Sequence, residues 1–390
     1  MTEVTLALDE LRRAGLLRRM VTVQGSSPGR VEIDGRQVIL LCSNDYLGLR
    51  EHPVVREAAA EAALRWGAGA GASRLVSGNL ELHDQLEREL QDFKGSQACV
   101  LFGSGYLANV GVIAALAGSG DVILSDSLNH ASIVDGCRLS RAETLVYPHA
   151  DLDALAWGLA RADGRPSLIV TDAVFSMDGD LAPLAGIVEL ARRHGARVLV
   201  DEAHATGVVG PGGRGLVAEL GLQDQVEVTI GTFSKALGSY GAFACCSQAV
   251  AEFLVNRART LIFSTALPPA SAAAALAAVR LLREQPELVR RLRTNTQVMR
   301  DALARHGLQP GAASRSELGP QTPILPLIVG EPDQAVRRSL AALSGGVFVQ
   351  AIRPPTVPEG TSRLRITVSA AHEASDLLTA AAVLAATAEM

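Results

Sequence analysis

Seven short apolar runs, separated by segments of helical period, constrain this chain more than any other feature. They are Ala98–Phe102, Val122–Ser125, Thr144–Tyr147, Leu168–Asp172, Arg197–Asp201, Glu227–Ile230 and Ala242–Cys246. Most are continuous rather than alternating, the mark of strands buried on both faces of a largely parallel sheet. The intervening helices are Leu80–Phe93, Gly105–Leu116, Leu152–Arg161 and Leu184–His194, the last stopped by Gly195. Strand and helix in alternation predict a layered α/β domain.

The flanks differ. The first twenty residues alternate leucine with charge as an amphipathic helix, and Arg30–Ile39 reads as a hairpin turning at Asp34-Gly35. Beyond an Ala-rich helix comes an Arg-rich one, Glu287–His306, then a loop, Gly311–Pro323. Strands Ile324–Val329, Val347–Ala351 and Leu364–Val368 then interleave with helices Gln334–Leu343 and Glu373–Ala386. Three parts are expected: an N-terminal arm over 1–50, a large α/β domain over 51–270 and a smaller α+β domain over 271–390. At 390 residues and 48% hydrophobic, the chain has enough apolar material for two cores.

Composition narrows the function classes. A net charge of −5 with interspersed signs offers no basic tract for nucleic acid. Thr265–Leu282 opens on Pro268-Pro269 and carries Arg280, so it is expected to be a buried helix rather than a membrane span. Acidic residues near the start and the lack of an apolar h-region argue against a signal peptide. Five cysteines without C-x-x-C spacing fit reduced thiols in a cytoplasmic protein with no metal site.

Only two of the 36 basic residues are lysines, Lys94 and Lys235. Arginine solvates a surface equally well, but only lysine loses its proton to become a nucleophilic amine. Lys94 ends a charged helix, where a cation complements the dipole. Lys235 sits in the small-residue loop Gly231-Thr232-Phe233-Ser234-Lys235-Ala236-Leu237-Gly238, the setting expected of a Schiff-base lysine. Asp201 ends a buried strand and needs a cationic partner there. A pyridinium nitrogen is one, and the pairing would keep a pyridine ring protonated. Metal ligation or helix capping would serve Asp201 alone. With His204 three residues on and Lys235 one strand later, pyridoxal phosphate is the better account. The turn Phe102-Gly103-Ser104-Gly105-Tyr106 joins strand to helix and offers free N–H groups to a phosphate, with Thr232 and Ser234 as added hydroxyl donors. His130, after the next strand, is placed to stack on a ring, although a helix-capping segment with an incidental histidine is the plainer reading of it alone.

Several motifs together resemble the α-oxoamine synthases, pyridoxal-phosphate enzymes of fold type I, the aspartate-aminotransferase fold. They are Ser43-Asn44-Asp45-Tyr46-Leu47-Gly48-Leu49, Gly71–Gly78, Phe175-Ser176-Met177-Asp178-Gly179-Asp180, Asp201-Glu202-Ala203-His204, Thr232–Lys235 and Leu261–Pro269. Within the family, Ala351–Pro358 followed by Arg363-Leu364-Arg365 is most similar to members that condense L-alanine with a pimeloyl thioester. The resemblance implies that Lys235 carries the cofactor and moves the α-proton, and that Asp201 pairs with the ring nitrogen. His204 and Ser176 would bond the phenolate oxygen, His130 would stack, and Gly105, Tyr106 and Thr232 would frame ring and phosphate. Ser264 and Thr265 would reach the phosphate from the second subunit of a homodimer. Arg365 would clamp the alanine carboxylate, with Arg18, Asn44, Arg353 and Thr356 toward the acyl substrate. Three alternatives remain: a sister synthase using glycine or serine, a non-catalytic subunit, which Lys235, Asp201 and His204 together argue against, and a nicotinamide oxidoreductase, whose glycine fingerprint is missing.

Overall fold

The computed structural model describes residues 2–311 and 322–388. Its centre is a seven-stranded sheet in the order Ala98–Phe102, Ala242–Cys246, Val228–Thr232, Arg197–Asp201, Ser167–Asp172, Val122–Asp126, Glu143–Tyr147. All neighbouring pairs are parallel except those made by Ala242–Cys246, which runs against both of its neighbours. Six of the strands are buried throughout or nearly so, as their continuous apolar runs require; Glu143–Tyr147, at the edge, is largely open.

Helices cover both faces. Ala108, Val112, Ile113, Ile133 and Leu254 pack on one side of the sheet. Val55, Leu86, Leu155, Ile187 and Leu276 belong to the core on the other. The Ala-rich segment forms Pro269–Glu284, whose small side chains let it lie close against Pro53–Trp66 and Glu81–Lys94. No described helix is long and apolar enough to cross a membrane.

The C-terminal strands Ile324–Gly330, Ser362–Thr367 and Gln350–Ile352 form a separate antiparallel sheet. Helices Glu287–Arg305, Pro332–Ser344 and Ala374–Ala386 share its core through Met299, Leu303, Ala342 and Leu377. The segment 347–351 is not the single strand expected. Val347–Phe348 adds in parallel to Arg36–Leu40 of the N-terminal hairpin, while Gln350–Ile352 joins Ser362–Thr367. Each half completes a different open sheet edge, so the chain divides at buried Val349. The hairpin turn lies at Asp34 and Gly35, both at positive φ (50° and 71°), as a tight two-residue connection demands. Of the expected loop 311–323, residues 312–321 lie outside the described residues.

One end of the large sheet gathers the polar residues. Val122–Asp126, Ser167–Asp172, Arg197–Asp201 and Val228–Thr232 all end, in parallel, on a polar side chain, and Asp172 and Asp201 are register partners on adjacent strands. Ligands bind open α/β sheets at this carboxyl edge.

Candidate active site

A cavity of about 210 Å³ lies over that edge. Gly105, Tyr106, His130, Asp201, His204, Thr232, Ser234 and Lys235 all line it, so eight of the residues singled out in the sequence meet there. Lys235 Nζ is 2.9 Å from His204 Nε2, and His204 Nδ1 is 2.7 Å from the Tyr46 hydroxyl. Burial lowers the Lys235 pKa to about 8, against the opposing pull of Asp201 and Asp172. Burial also pushes His204 well below the usual histidine range, and the Lys235 and Arg365 charges push the same way. The imidazole is therefore neutral at pH 7.

Asp201 is buried. Its Oδ1 accepts the Ala203 N–H at 2.7 Å and its Oδ2 accepts the Asn109 amide at 2.6 Å. Beside it, Asp172 accepts the His130 backbone N–H at 2.8 Å. Burial and the Asp201 charge raise the Asp172 pKa well above the carboxylate range. The His130 ring bonds through Nδ1 to Ser132, and its pKa is lowered by burial. Thr232 Oγ1 donates to the Gly241 carbonyl at 2.8 Å and so accepts from Ser234 Oγ, also at 2.8 Å. The helix Gly105–Leu116 starts at the rim with Ser104 as its cap.

The other expected residues lie outside the lining. Arg365 is buried and donates to the Ser176 carbonyl (2.5 Å), to Asn44 Oδ1 (3.2 Å) and to the Tyr46 hydroxyl (3.4 Å). Arg365 and Asn44 are thus two side chains away from Lys235, through Tyr46 and His204. Ser176 takes part through its backbone oxygen. Arg18 donates to Thr356 at 3.4 Å, and Arg353 donates to the Gly15 carbonyl, a separate cluster where the N-terminal arm meets the C-terminal part. Ser264 and Thr265 line a different depression with Arg74 and Gly103.

Lys94 ends its helix as expected, but it does more than complement the dipole. It is buried and ion-paired with Glu202 at 2.5 Å, because the helix end tucks under the strand end instead of facing water. Sequence reasoning passed over Tyr46, Asn109 and Asp172. Tyr46 lies in the quoted Ser43–Leu49 motif and Asn109 one helical turn beyond Gly105, but which polar group each would meet depends on the fold.

The aminotransferase class I and II family matches residues 36–384. The chain belongs to this family. An 8-amino-7-oxononanoate synthase of Geobacter sulfurreducens is 52% identical over 97% of this chain and 96% of its own. A serine palmitoyltransferase from S. paucimobilis with bound PLP superposes with a TM-score of 0.93 at 33% identity, covering 99% of this chain and 96% of that one. The 8-amino-7-oxononanoate synthase of Francisella tularensis superposes at 0.77 with 26% identity, covering 90% and 98%. The chain is accordingly a pyridoxal-phosphate-dependent acyltransferase of the α-oxoamine synthase type.

The residues present fit that cofactor. Among the described residues Asp201 has no lysine or arginine in ion-pair range, so a buried carboxylate lacks a cation of the kind a pyridinium would supply. Lys235 offers an amine with a depressed pKa, and the glycine turn and hydroxyl pair suit an anion.

The Phe175–Asp180 segment of this family member is held by a clamp of its own. His149 bonds Asp126 through Nδ1 at 3.0 Å and Asp180 through Nε2 at 2.7 Å, edge-on to Phe175. Burial alone would lower the His149 pKa, but the hydrogen bonds to Asp126 and Asp180 raise it to about 10. A folded pKa above the unfolded one, about 6.5, contributes stability that is fully present below pH ~6.5 and lost as pH rises through ~10. The stability gap between wild type and His149→Gln, measured by urea unfolding, is expected to be largest near pH 6 and to shrink toward pH 10. A pH-independent gap would show that the charge contributes nothing.

Proposed function

We propose that the chain catalyses the decarboxylative condensation of L-alanine with a pimeloyl thioester, giving 8-amino-7-oxononanoate for biotin synthesis in the cytoplasm. What carries this reading is the 52% identity, over nearly the full chain, to a protein of that name. The geometry agrees in reaction class.

Bound pyridoxal phosphate supplies an electron sink for the negative charge that develops at the alanine α-carbon. Lys235 Nζ would hold the cofactor at rest, then, once displaced by alanine, take the α-proton; an amine with a pKa near 8 is suited to both tasks. The Asp201 carboxylate would hold the proton on the ring nitrogen, itself oriented by Asn109 and the Ala203 N–H. His204, neutral and fixed by Tyr46, would bond the phenolate oxygen, with Ser176 as second partner. His130 would cover the ring face and exclude water. Gly105, Tyr106, Thr232 and Ser234 would hold the phosphate edge. Arg365 has no acidic partner in ion-pair range among the described residues, and its fork suits the alanine carboxylate. Arg18, Asn44, Arg353 and Thr356 would receive the acyl group.

A homodimer follows from the same reading. Ser264 and Thr265 sit away from their own chain's cavity beside Phe263, which is 71% exposed, and would meet the phosphate in a second copy.

The sister reading, a synthase using serine or glycine, is favoured by the high superposition on serine palmitoyltransferase. The two separate in kcat/KM for pimeloyl-CoA against acetyl-CoA, succinyl-CoA and palmitoyl-CoA, each with alanine, glycine and serine. Alanine with pimeloyl-CoA is expected to lead. One methyl is worth only about 1–3 kcal/mol, so glycine should react slowly rather than not at all. A clear preference for another pair would move the chain to a sister synthase. Separately, borohydride reduction of the holoenzyme should leave the cofactor bonded to Lys235, and Lys235→Arg should abolish the linkage because a guanidinium offers no neutral amine. Cofactor recovered on Lys94 would overturn the assignment.

A further inference from the structure

The two lysines of this arginine-dominated chain lie on opposite sides of one strand end. Lys235 meets His204 on the cavity side. Lys94 meets Glu202, the neighbour of Asp201, on the other. Adjacent residues of a strand point to opposite faces, so Asp201 and Glu202 share a peptide unit while facing different surroundings.

Every hydrogen of the Lys94 ammonium is used. It donates to Glu202 Oε2 at 2.5 Å, to the Arg214 carbonyl at 2.6 Å and to Thr206 Oγ1 at 3.3 Å. The second carboxylate oxygen of Glu202 accepts the Val217 N–H at 2.8 Å. Its backbone N–H bonds the Ile230 carbonyl at 2.7 Å, and its own carbonyl receives the Ala205 and Thr206 N–H groups at 3.0 and 2.8 Å. One cation thus ties both ends of the 202–206 turn, and the chain at 214, to the end of the helix Glu81–Lys94. That turn carries Ala203 and His204, and the Ala203 N–H holds Asp201 Oδ1.

The fit explains why lysine persists here. A planar guanidinium cannot place three donors around so small a centre. The chain also closes in on the pair: a Cβ at Gly215 would stand 2.0 Å from the Glu202 carboxylate, and one at Gly95 would stand 2.8 Å from Arg214 Nη2.

We infer that Lys94 is a positioning residue for the reaction: through Glu202 it fixes the Asp201–His204 turn against which the cofactor ring is held. The inference rests on the proposed pairing of Asp201 with the ring nitrogen. A polar cavity of about 330 Å³ lies beside the pair, lined by Lys94, Glu202 and Arg214. Without the ammonium, Glu202 can turn toward water there and draw the turn with it. The expected result is therefore a displaced aspartate in a folded protein.

The test uses holoenzyme of Lys94→Met and Lys94→Arg, with Glu202→Gln as a third variant that cuts the same link from the other end. Leu254→Ala, in the core on the opposite sheet face, serves as a control of comparable thermal destabilisation. The readouts are the cofactor dissociation constant, the pH at which bound-cofactor absorbance changes, and Tm. The Lys94 and Glu202 variants are expected to weaken cofactor binding on the order of tenfold, as loss of an outer partner does for other held groups, and to move the absorbance transition. The control should lower Tm alone. If Lys94→Met and Glu202→Gln keep wild-type cofactor affinity and absorbance profile while losing only Tm, Lys94 is merely structural and the inference falls. Failure of the underlying reading looks different: Asp201→Asn would then leave cofactor binding and absorbance unchanged.

Discussion

A buried carboxylate with no lysine or arginine in ion-pair range among the described residues organises this molecule. Asp201 is 4% exposed and is held by two neutral donors, the Asn109 amide and the Ala203 N–H. Two such bonds orient a carboxylate but do not neutralise it, and a buried uncompensated charge is costly. Its influence extends to its neighbours: burial and the Asp201 charge together drive the register partner Asp172 toward its neutral form, while Lys235 gains some protection for its charge against burial. A cationic ring seated beside Asp201 would relieve the cost, and on the proposed pairing this is the physical link between the fold and a pyridine cofactor.

The fold supplies the placement. Parallel strands end together, so polar residues at successive strand ends converge without any local sequence relation between them. Asp172, Asp201 and Thr232 arrive this way, and the antiparallel return of Ala242–Cys246 brings the Gly241 carbonyl to the Thr232 hydroxyl. Behind the sheet edge, charged clamps occupy the opposite side or the flank: Lys94 with Glu202, and His149 with Asp126 and Asp180. Both charged clamps lie outside the lining of the cavity.

Much of this was legible in the sequence. Ala98–Phe102, Arg197–Asp201, Ala242–Cys246, Gly105–Leu116, Leu152–Arg161 and Leu184–His194 appear with the bounds expected, because burial on both faces and clear caps leave little freedom. The eight cavity residues were also readable, since each ends or follows a strand or opens a helix. What was hidden depended on contacts remote in sequence. Lys94 looked like a helix-end cation because its partner is 108 positions away. The division of 347–351 followed from two sheet edges that no local pattern reveals. Tyr46 and Asn109 act through hydrogen bonds to residues far along the chain, His204 and Arg365 for the first and Asp201 for the second.

The pairing of Asp201 with the cofactor ring is tested most directly by ¹⁵N NMR of the enzyme reconstituted with pyridoxal phosphate labelled at the ring nitrogen. In the wild-type enzyme at neutral pH the nitrogen should show the shift of a protonated pyridinium. In Asp201→Asn the amide no longer stabilises that proton, and the shift should move to that of the neutral ring. A ring nitrogen that stays fully protonated in Asp201→Asn, or is unprotonated in the wild type, would contradict the account.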